Sequence, residues 1–579
     1  YILCLADSSN LRSVGYPSME SPQADPIVIA GPWLAVANTA ASTVDFINRT
    51  THKVEQRVRV GIDPVSLAVR PDGLELWVSN HVSDSVSVID LDSKNATYMH
   101  VIATIQEFDS SGATKFDEPV GIAFASNSKA YVALSSENII AVIDVKTRRI
   151  TGRLKLKSQD PRAIRVRDDK LYVIPFESGN KTQLSCGRRS NIDGVVTTCD
   201  MNASIATSPS NISVNNVLSI GIVTDVVKHP RNYDRDLYVF DTKTDRSINV
   251  VDTLGTLLYG LAVDSKGRVY IAQTDARNDA NGKAGTKKHG LEELENRPYL
   301  NQITVWSPAS KSSRIDLEPL PPQHPAKGQA LATPYAVEIS QDDKTLVATA
   351  AGSDKVFTLD TGTGNVLAQV AVGAGPRGLA LEHVNGELVK AWVYNVLDNT
   401  VSLINLKDRT NPSVVGKVVL EDPTHPEVKA GRKAFNSAIG STTETFSCAS
   451  CHPNGHTDHL LWVLDPPIVH GGKQIMPRLT QTLRGLRDTA PYHWDGTQAD
   501  PYGGVNAAVL RKRINPTPNT SAMDSVANTR VVIDASLSGV MHLQSNSTVN
   551  DRDQIGKLSD SERQAMANYL VSIPYPTGP

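Results

Sequence analysis

Apolar and polar side chains alternate with a period of two in many short stretches of the first three quarters of the chain. Clear examples are ELWVSN (75–80), SVSVID (85–90) and TVSLIN (400–405), each followed by residues that favour turns. This alternation is typical of antiparallel strands with one buried face. The first three quarters are therefore predicted to be all-β.

The strands belong to a repeat of about 40 to 50 residues, a period typical of stacked or circular repeat folds. One pattern recurs as DPVSLAV (63–69), EPVGIAF (118–124), DPRAIRV (160–166), TPYAVEI (333–339) and GPRGLAL (375–381). Four short strands cannot bury their faces alone, but they can when such units pack as blades around an axis. We predict a seven-bladed β-propeller at 27–420, preceded by an N-terminal segment at 1–26.

The repeat has three irregularities. The first unit (33–60) shows no clear leading strand, and insertions at about 178–235 and 276–300 interrupt the fourth and fifth units. The repeats resemble the YVTN-type repeats of bacterial surface and periplasmic β-propellers. That resemblance implies an architecture and not a chemistry, because propellers host many functions. The blade sequences indicate no cluster of ionisable or metal-binding side chains at the propeller mouth.

Helical patterning replaces the strands in the last quarter. Gly431 and Phe435 stand four residues apart on one predicted helix, and Ser559 with Glu562 predicts a capping box at the start of another. Between them lies CASCH (448–452). In a C-x-x-C-H motif two thiols add across the haem vinyl groups from one turn of chain, and the adjacent histidine ligates the iron. A zinc site would need a second ligand pair, and a redox dithiol would need a βαβ setting.

The motif predicts one covalent haem c, with thioether links to Cys448 and Cys451 and His452 as the proximal ligand. Cytochromes c cross their first and last helices at small and aromatic positions such as Gly431 and Phe435. We therefore predict a small all-α cytochrome c-like domain with one haem at 421–579, following the all-β propeller.

The residues around the motif resemble the bacterial di-haem cytochrome c peroxidase family, which includes the MauG-type maturation enzymes. The matching segments are FSCASCH (446–452), TD (457–458), RLTQTLRGL (478–486) and TAPYHWDG (489–496). Peroxidases of that family use two haems, whereas this chain has one C-x-x-C-H motif. A single haem can carry an electron but lacks the partner that delivers the second one.

The resemblance leaves the sixth iron ligand open. It implies His470 if the domain is like the family's N-terminal half, and Met541 if it is like the C-terminal half, with Met476 a weaker third candidate. Three arginines suit the haem propionates, because the guanidinium fork matches a carboxylate. These are Arg478, Arg484 and Arg487. Asp488 and Asp495 are candidates for a structural cation such as Ca²⁺.

The remaining cysteines and the net charge indicate the cellular location of the chain and the partners it is not expected to have. Of five cysteines, Cys186 and Cys199 lie 13 residues apart in a polar insertion, and we predict a disulfide between them. Covalent haem and a disulfide both indicate a periplasmic, extracellular or cell-surface location. A formal net charge of −3 excludes a polycationic surface, so nucleic acid is not an expected partner. No stretch approaches the roughly 20 apolar residues of a membrane span.

Three functions fit this sequence. The first is electron transfer, in which the propeller docks a redox partner such as a cytochrome, a cupredoxin-like protein or a second haem protein. The second is a peroxidase-like or dehydrogenase oxidoreductase that uses the haem as its redox centre. The third is a surface or assembly protein with an accessory haem, in which the long insertions supply recognition loops.

Overall fold

The computed structural model describes residues 19–179, 234–278, 280, 291, 294–464, 476–490, 492, 524–538, 540–542 and 558–575, together with the backbone of six short strands between 183 and 228. The described chain is mostly β-sheet, with helices gathered toward its C-terminal end. Among these residues, none of the helices combines the length and the apolar character that crossing a bilayer requires.

Three four-stranded antiparallel sheets come first along the chain. Their strands are β1 (Ile27–Ala30), β2 (Trp33–Asn38), β3 (Thr43–Asn48), β4 (Lys53–Arg59), β5 (Pro64–Val69), β6 (Glu75–Asn80), β7 (Ser85–Asp90), β8 (Val101–Ile105), β9 (Pro119–Ser126), β10 (Lys129–Leu134), β11 (Ile139–Asp144) and β12 (Arg149–Lys155). Within each sheet, every strand pairs with the next one in the sequence.

An eight-stranded sheet follows, and six short strands interrupt its sequence. Its strands are β13 (Gln159–Arg167), β14 (Lys170–Glu177), β21 (Leu237–Asp241), β22 (Ser247–Val251), β23 (Leu257–Val263), β24 (Val269–Ala276), β25 (Tyr299–Ser307) and β26 (Ser310–Asp316). The interrupting strands are β15 (Gln183–Cys186), β16 (Arg189–Ile192), β17 (Val195–Thr198), β18 (Ser213–Val214), β19 (Val217–Leu218) and β20 (Asp225–Lys228). A single residue pair, Glu177 with Leu257, joins β14 to β23.

Two more four-stranded sheets complete the β region. Their strands are β27 (Pro334–Ile339), β28 (Thr345–Ala350), β29 (Lys355–Asp360), β30 (Val366–Ala371), β31 (Pro376–Val384), β32 (Glu387–Asn395), β33 (Thr400–Asn405) and β34 (Ser413–Val419). Strands β1, β5, β9, β13, β23, β27 and β31 contact one another in this order, and β31 contacts β1. The sheets therefore stand around a common axis, as in a β-propeller.

The prediction that the first unit lacks a leading strand is wrong. Strand β1 is that strand, and it pairs along its whole length with β2. Its sequence, Ile-Val-Ile-Ala, is apolar throughout, so it shows no alternation by which it could be recognised.

The recurring proline explains a local feature of the leading strands. Proline has no N–H to give to the ladder, and the pairing register shifts close after it in β5, β13, β27 and β31. The residue before it has a positive φ, as at Asp63, Asp160, Thr333 and Gly375. Such a bulge re-aims the side chain that follows the proline.

Neighbouring sheets are held together by apolar side chains between them. Trp77 and Val88 of one sheet, for example, share a buried cluster with Val132 and Ile143 of the next. Burial of this kind is the main source of stability for blades that cannot fold singly.

In the described residues of the C-terminal part there are four α-helices and a two-stranded antiparallel sheet. They are α1 (Pro426–Asn436), α2 (Cys448–Cys451), β35 (Leu461–Leu464), β36 (Met476–Leu479), α3 (Ser525–Ser538) and α4 (Asp560–Ser572). Single 3₁₀ turns lie at Thr39–Ala41, Ala438–Gly440, Pro453–Gly455 and Leu486–Asp488. The prediction of an all-α domain is thus wrong in one respect, because β35 pairs with β36.

Helices α1 and α4 cross at the small residue singled out in the sequence. A Cβ on Gly431 would overlap the backbone of Ala565 and Met566. One turn along α1, the Phe435 ring lies 5.6 Å from the Tyr569 ring of α4. The capping box of Ser559 and Glu562 opens α4 as predicted. This close crossing is possible only with glycine at position 431.

The C-terminal part packs directly on the β region. The Ala438 amide donates to the Gly352 carbonyl over 2.8 Å, and the Asn301 side-chain amide donates to the Thr445 carbonyl over 3.0 Å. One buried apolar cluster contains residues of both parts, Phe176 and Tyr259 among them. The C-terminal part and the β region therefore share one apolar core.

Candidate functional site

The C-x-x-C-H motif forms a single helical turn with a defined start. The Ser447 amide donates to the Ser450 hydroxyl over 3.0 Å in a capping box, and the His452 amide donates to the Cys448 carbonyl over 3.0 Å. This turn presents the side chains of Cys448 and Cys451 together, and both are free thiols. Two free thiols on one turn fit covalent attachment of a haem.

The His452 ring is oriented by the chain that follows it. Its Nδ1 lies 3.2 Å from the His456 carbonyl oxygen, where it can donate a hydrogen bond. An imidazole that donates from Nδ1 is the tautomer with its lone pair on Nε2, and metal-ligating histidines are commonly held this way. The geometry of His452 therefore fits an iron ligand.

The thiols are held in the protonated form. Burial raises the pKa of Cys448 to about 11, and burial together with the charge of Asp458 raises the pKa of Cys451 well above its usual value. A redox dithiol or a zinc ligand needs a readily formed thiolate. In the part of the chain that the structure describes, no group of three His, Cys, Asp or Glu side chains could hold a metal ion. The raised pKa values of the two thiols disfavour a zinc thiolate site and are compatible with thioether formation.

A buried hydrogen-bonded group lies beside Cys451. The Tyr299 hydroxyl of β25 donates to Asp458 Oδ2 over 2.5 Å, and Trp462 Nε1 donates to the same oxygen over 2.9 Å. The two rings lie 5.4 Å apart. Burial raises the pKa of Asp458 to about 6, although these hydrogen bonds oppose the shift. The carboxyl group therefore titrates close to neutral pH.

Apolar side chains surround the motif turn. The cluster that packs against Cys448 and Cys451 includes Phe446, Leu460, Trp462, Leu537, Met541 and Leu558. A haem requires such a lining, because a dry surrounding of low polarity sets its potential.

Of the candidates for the sixth ligand, one can be located. Met541 is buried in this cluster, and its backbone carbonyl accepts from the Thr442 amide over 3.0 Å. His470 lies outside the described residues. Met476 begins β36, and nothing is described of its side chain.

The three candidate propionate arginines lie in different surroundings. Arg478 pairs with Trp462 in the β35–β36 sheet, and its side chain is outside the described part. Arg484 donates from Nη2 to the Asn454 carbonyl over 3.2 Å, and burial lowers the pKa of its guanidinium. Arg487 is more than half exposed and pairs with the adjacent Asp488 over 3.4 Å. Asp495, the other suggested cation ligand, lies outside the described residues.

Of the two cysteines of the predicted disulfide, the structure describes only the backbone of Cys186. Cys186 is the last residue of β15, and Cys199 lies outside the described residues, as does Cys4. The Cys186–Cys199 pairing stays a prediction.

The expectation of no ionisable cluster at the mouth is wrong. Arg162, Tyr259, Tyr335 and Arg377 come from four leading strands and line one cavity, together with Ala449 of the motif turn. In three of the four, the residue follows the repeated proline, so the bulge turns it toward the axis. The sequence signal was present, but only when this one position is compared across separate repeats.

Acidic side chains and histidines with shifted pKa values lie near this cavity. Burial raises the pKa of Glu118 to about 7 and that of Glu177 to about 8, and the nearby Asp160 adds to both shifts. Burial lowers the pKa of His81 to about 3 and that of His456 to about 4. Burial thus favours the neutral form of each group.

The likeness of this chain to known proteins is distant. No family model matches the chain, and no curated protein matches it. Among solved structures, hydrazine synthase from Kuenenia stuttgartiensis is 19% identical over 70% of this chain and 99% of that chain, with a TM-score of 0.47. Neither fold nor function is inferred from a likeness this distant.

Proposed function

We propose that this chain is an extracytoplasmic c-type cytochrome that transfers single electrons. The observation that carries the proposal is the motif turn. It presents two half-buried, protonated thiols next to a histidine whose Nδ1 faces a backbone carbonyl. When bound, the haem would supply a one-electron couple between ferric and ferrous iron.

The proposal includes an architecture of seven blades. We count the eight-stranded sheet as two blades of four strands each. The first blade contains β13, β14, β21 and β22, and the second contains β23 to β26. In both sets, each strand pairs with the next one in this order. The contacts among the leading strands support this count. The propeller then covers 27–420 and the mono-haem cytochrome c-like domain 421–579.

Each residue of the site has a distinct part in this proposal. Cys448 and Cys451 fix the haem, His452 binds the iron, and the apolar cluster around them excludes water. We assign the sixth position to Met541, because it is buried in the same cluster as both cysteines. A thioether ligand raises the reduction potential relative to a second histidine.

Electron transfer is favoured over peroxide chemistry by the single motif. The di-haem peroxidases that the sequence resembles store the second reducing equivalent on a second haem, whereas this sequence supplies one haem-attachment site. The rim of the propeller would dock the redox partner, a cytochrome, a cupredoxin-like protein or a second haem protein. A small-molecule oxidoreductase is the second candidate, and the cavity beside Ala449 is the observation that favours it.

Peroxide turnover separates these functions. The haem-loaded protein is mixed with hydrogen peroxide and a reduced donor, and turnover is compared with that of free haem c peptide at equal haem concentration. We expect a reversible one-electron couple in a redox titration and turnover no faster than that of the peptide. Turnover far above the peptide would contradict the carrier function.

A further inference from the structure

The cavity on the axis is enclosed by both parts of the chain. Its lining includes Arg162, Arg377, Tyr259 and Tyr335 from the propeller strands, and Asn436 and Ala449 from the helical part. The room inside it is about 20 Å³, enough for one or two water molecules or an anion of similar size, and part of it opens to solvent. None of the residues that line it is acidic. The cavity is therefore small, polar and positively charged.

Arg377 is a buried cation whose described contacts are neutral. Its side chain is buried, with 6% of the residue exposed. Nη1 donates to the Gln23 amide oxygen over 3.1 Å, and Nη2 donates to the Asn436 amide oxygen over 2.9 Å. Its Nε is buried with no hydrogen-bond partner. A buried charge without a counterion is costly, and natural proteins pair it.

Arg162 supplies a second guanidinium, but its charge is already matched. It forms a bidentate pair with Asp160, in which Nε lies 2.9 Å from both carboxylate oxygens. Its guanidinium also stacks on the Phe176 ring, with 3.7 Å between the carbon and the ring centroid. Two arginines therefore line the cavity. The charge of Arg162 is paired with Asp160, whereas the charge of Arg377 faces only neutral groups among the described contacts.

We propose that this axial cavity binds a small monocarboxylate anion. The buried Nε of Arg377 is the anchoring donor, and a charge-assisted hydrogen bond from it would satisfy the orphaned group. Tyr259 and Tyr335, with ring centroids 5.0 Å apart, limit the size of the anion. One net charge selects a monovalent species over a divalent one.

The proposed anion site lies directly against the motif turn. Ala449 lies between the two haem-attaching cysteines, and it lines the cavity with Pro453 of the same turn. An anion held there would sit beside the redox centre. The binding site does not depend on the proposed redox function, so either can fail without the other.

Calorimetry with sodium formate tests the proposal on the haem-loaded protein. The titrations compare the natural sequence with Arg377→Gln and with a matched control, Arg409→Gln, whose arginine pairs with Asp342 on the outer surface. We expect formate binding to the natural protein and the control, and at least about tenfold weaker binding to Arg377→Gln. Absence of binding to the natural protein would overturn the proposal.

A second variant guards against loss of folding. Asn436→Asp places a carboxylate against Arg377 Nη2, so it supplies the missing counterion within the chain. We expect it to fold, because the new ion pair with Arg377 offsets the lost hydrogen bond from the Asn436 amide to the Arg432 carbonyl, and yet to lose formate binding. Formate binding that survives in both variants would overturn the proposal, and so would a crystal structure of the haem-loaded protein with a haem propionate between the two arginines.

Discussion

Single residues around the motif turn are tuned mainly by burial. Cys448 and Cys451 are kept protonated, His456 is kept neutral, and Asp458 is moved into the neutral range. In each case burial disfavours the charged form, and hydrogen bonds or neighbouring charges modify the result. Among the described residues near the motif turn, Asp458 is thus a carboxyl group with a pKa of about 6, next to Cys451.

The reduction potential should therefore depend on pH near pH 6. Deprotonation of Asp458 places a negative charge beside the iron and favours the ferric state, so the midpoint potential should fall as the pH rises through about 6. Asp458→Asn should remove this slope. The measurement is a spectroelectrochemical titration between pH 5 and pH 7, and an unchanged slope in the variant would contradict the assignment.

The sixth ligand can be tested by comparing two single variants. Met541→Ala should abolish the ferric near-infrared charge-transfer band of Met/His ligation and lower the midpoint potential, because a thioether raises that potential. His470→Ala should leave both unchanged. An unchanged spectrum in Met541→Ala would contradict the assignment of Met541 as the sixth ligand. A changed spectrum in His470→Ala would favour His470 as that ligand.

Among the secondary-structure elements, the crossing of α1 and α4 decides whether the helical part can close. Both helices begin with caps that their sequences specify, His425 with Pro426 for α1 and Ser559 with Glu562 for α4. They approach so closely at Gly431 that backbone meets backbone. Helix α4, which follows the motif in the sequence, therefore packs directly against α1, which precedes the motif.

Gly431→Ala should destabilise the helical part by about 1–3 kcal/mol, the usual cost of overpacking a rigid contact. The added Cβ would lie 2.8 Å from the Met566 backbone nitrogen and closer still to Ala565. Gly416→Ala in β34 is the control, because its Cβ would meet Leu403 at an ordinary 3.6 Å. Equal unfolding free energies of the two variants, measured by denaturant titration, would contradict the crossing.

Patterns within one segment were predictable, and features made by several segments were not. The alternating strands and the cap at Ser559 each depend on a few neighbouring residues, whereas the α1–α4 crossing at Gly431 was expected only from the resemblance to cytochromes c. The axial cavity combines Arg162 and Arg377, which are more than 200 positions apart, so no local pattern announces it. Strand β1 was missed because a uniformly apolar strand shows no period.

Across the whole molecule, charged side chains tie distant sheets together along the axis. Arg165 of β13 donates from Nη2 to Asp25 Oδ1 over 2.6 Å and to Glu338 Oε1 over 2.7 Å. Asp25 precedes β1, and Glu338 belongs to β27, so one guanidinium links three parts of the ring. A hydrogen bond also joins the last sheet to the first one. The side-chain amide of Asn399, just before β33, donates to Oδ1 of Asn38, at the end of β2, over 3.0 Å.

Arg165→Gln should lower the melting temperature and the free energy of unfolding. Removal of the guanidinium leaves Asp25 and Glu338 facing each other, at a cost of about 2 kcal/mol, less than for a fully buried pair because these side chains are partly exposed. Glu338→Gln in the same chain should restore part of the loss. An additive double variant would contradict the linkage, and thermal melts at several pH values would check it.

The most direct test of the account is whether the chain carries one covalent haem at Cys448 and Cys451. The protein is produced in a host with periplasmic cytochrome maturation and examined by denaturing mass spectrometry and by the pyridine haemochrome spectrum. We predict a mass increase of one haem per chain with a c-type α-band, and loss of both in Cys448→Ala/Cys451→Ala. An unmodified mass in the natural sequence, produced beside a control cytochrome that is fully loaded, would contradict the account.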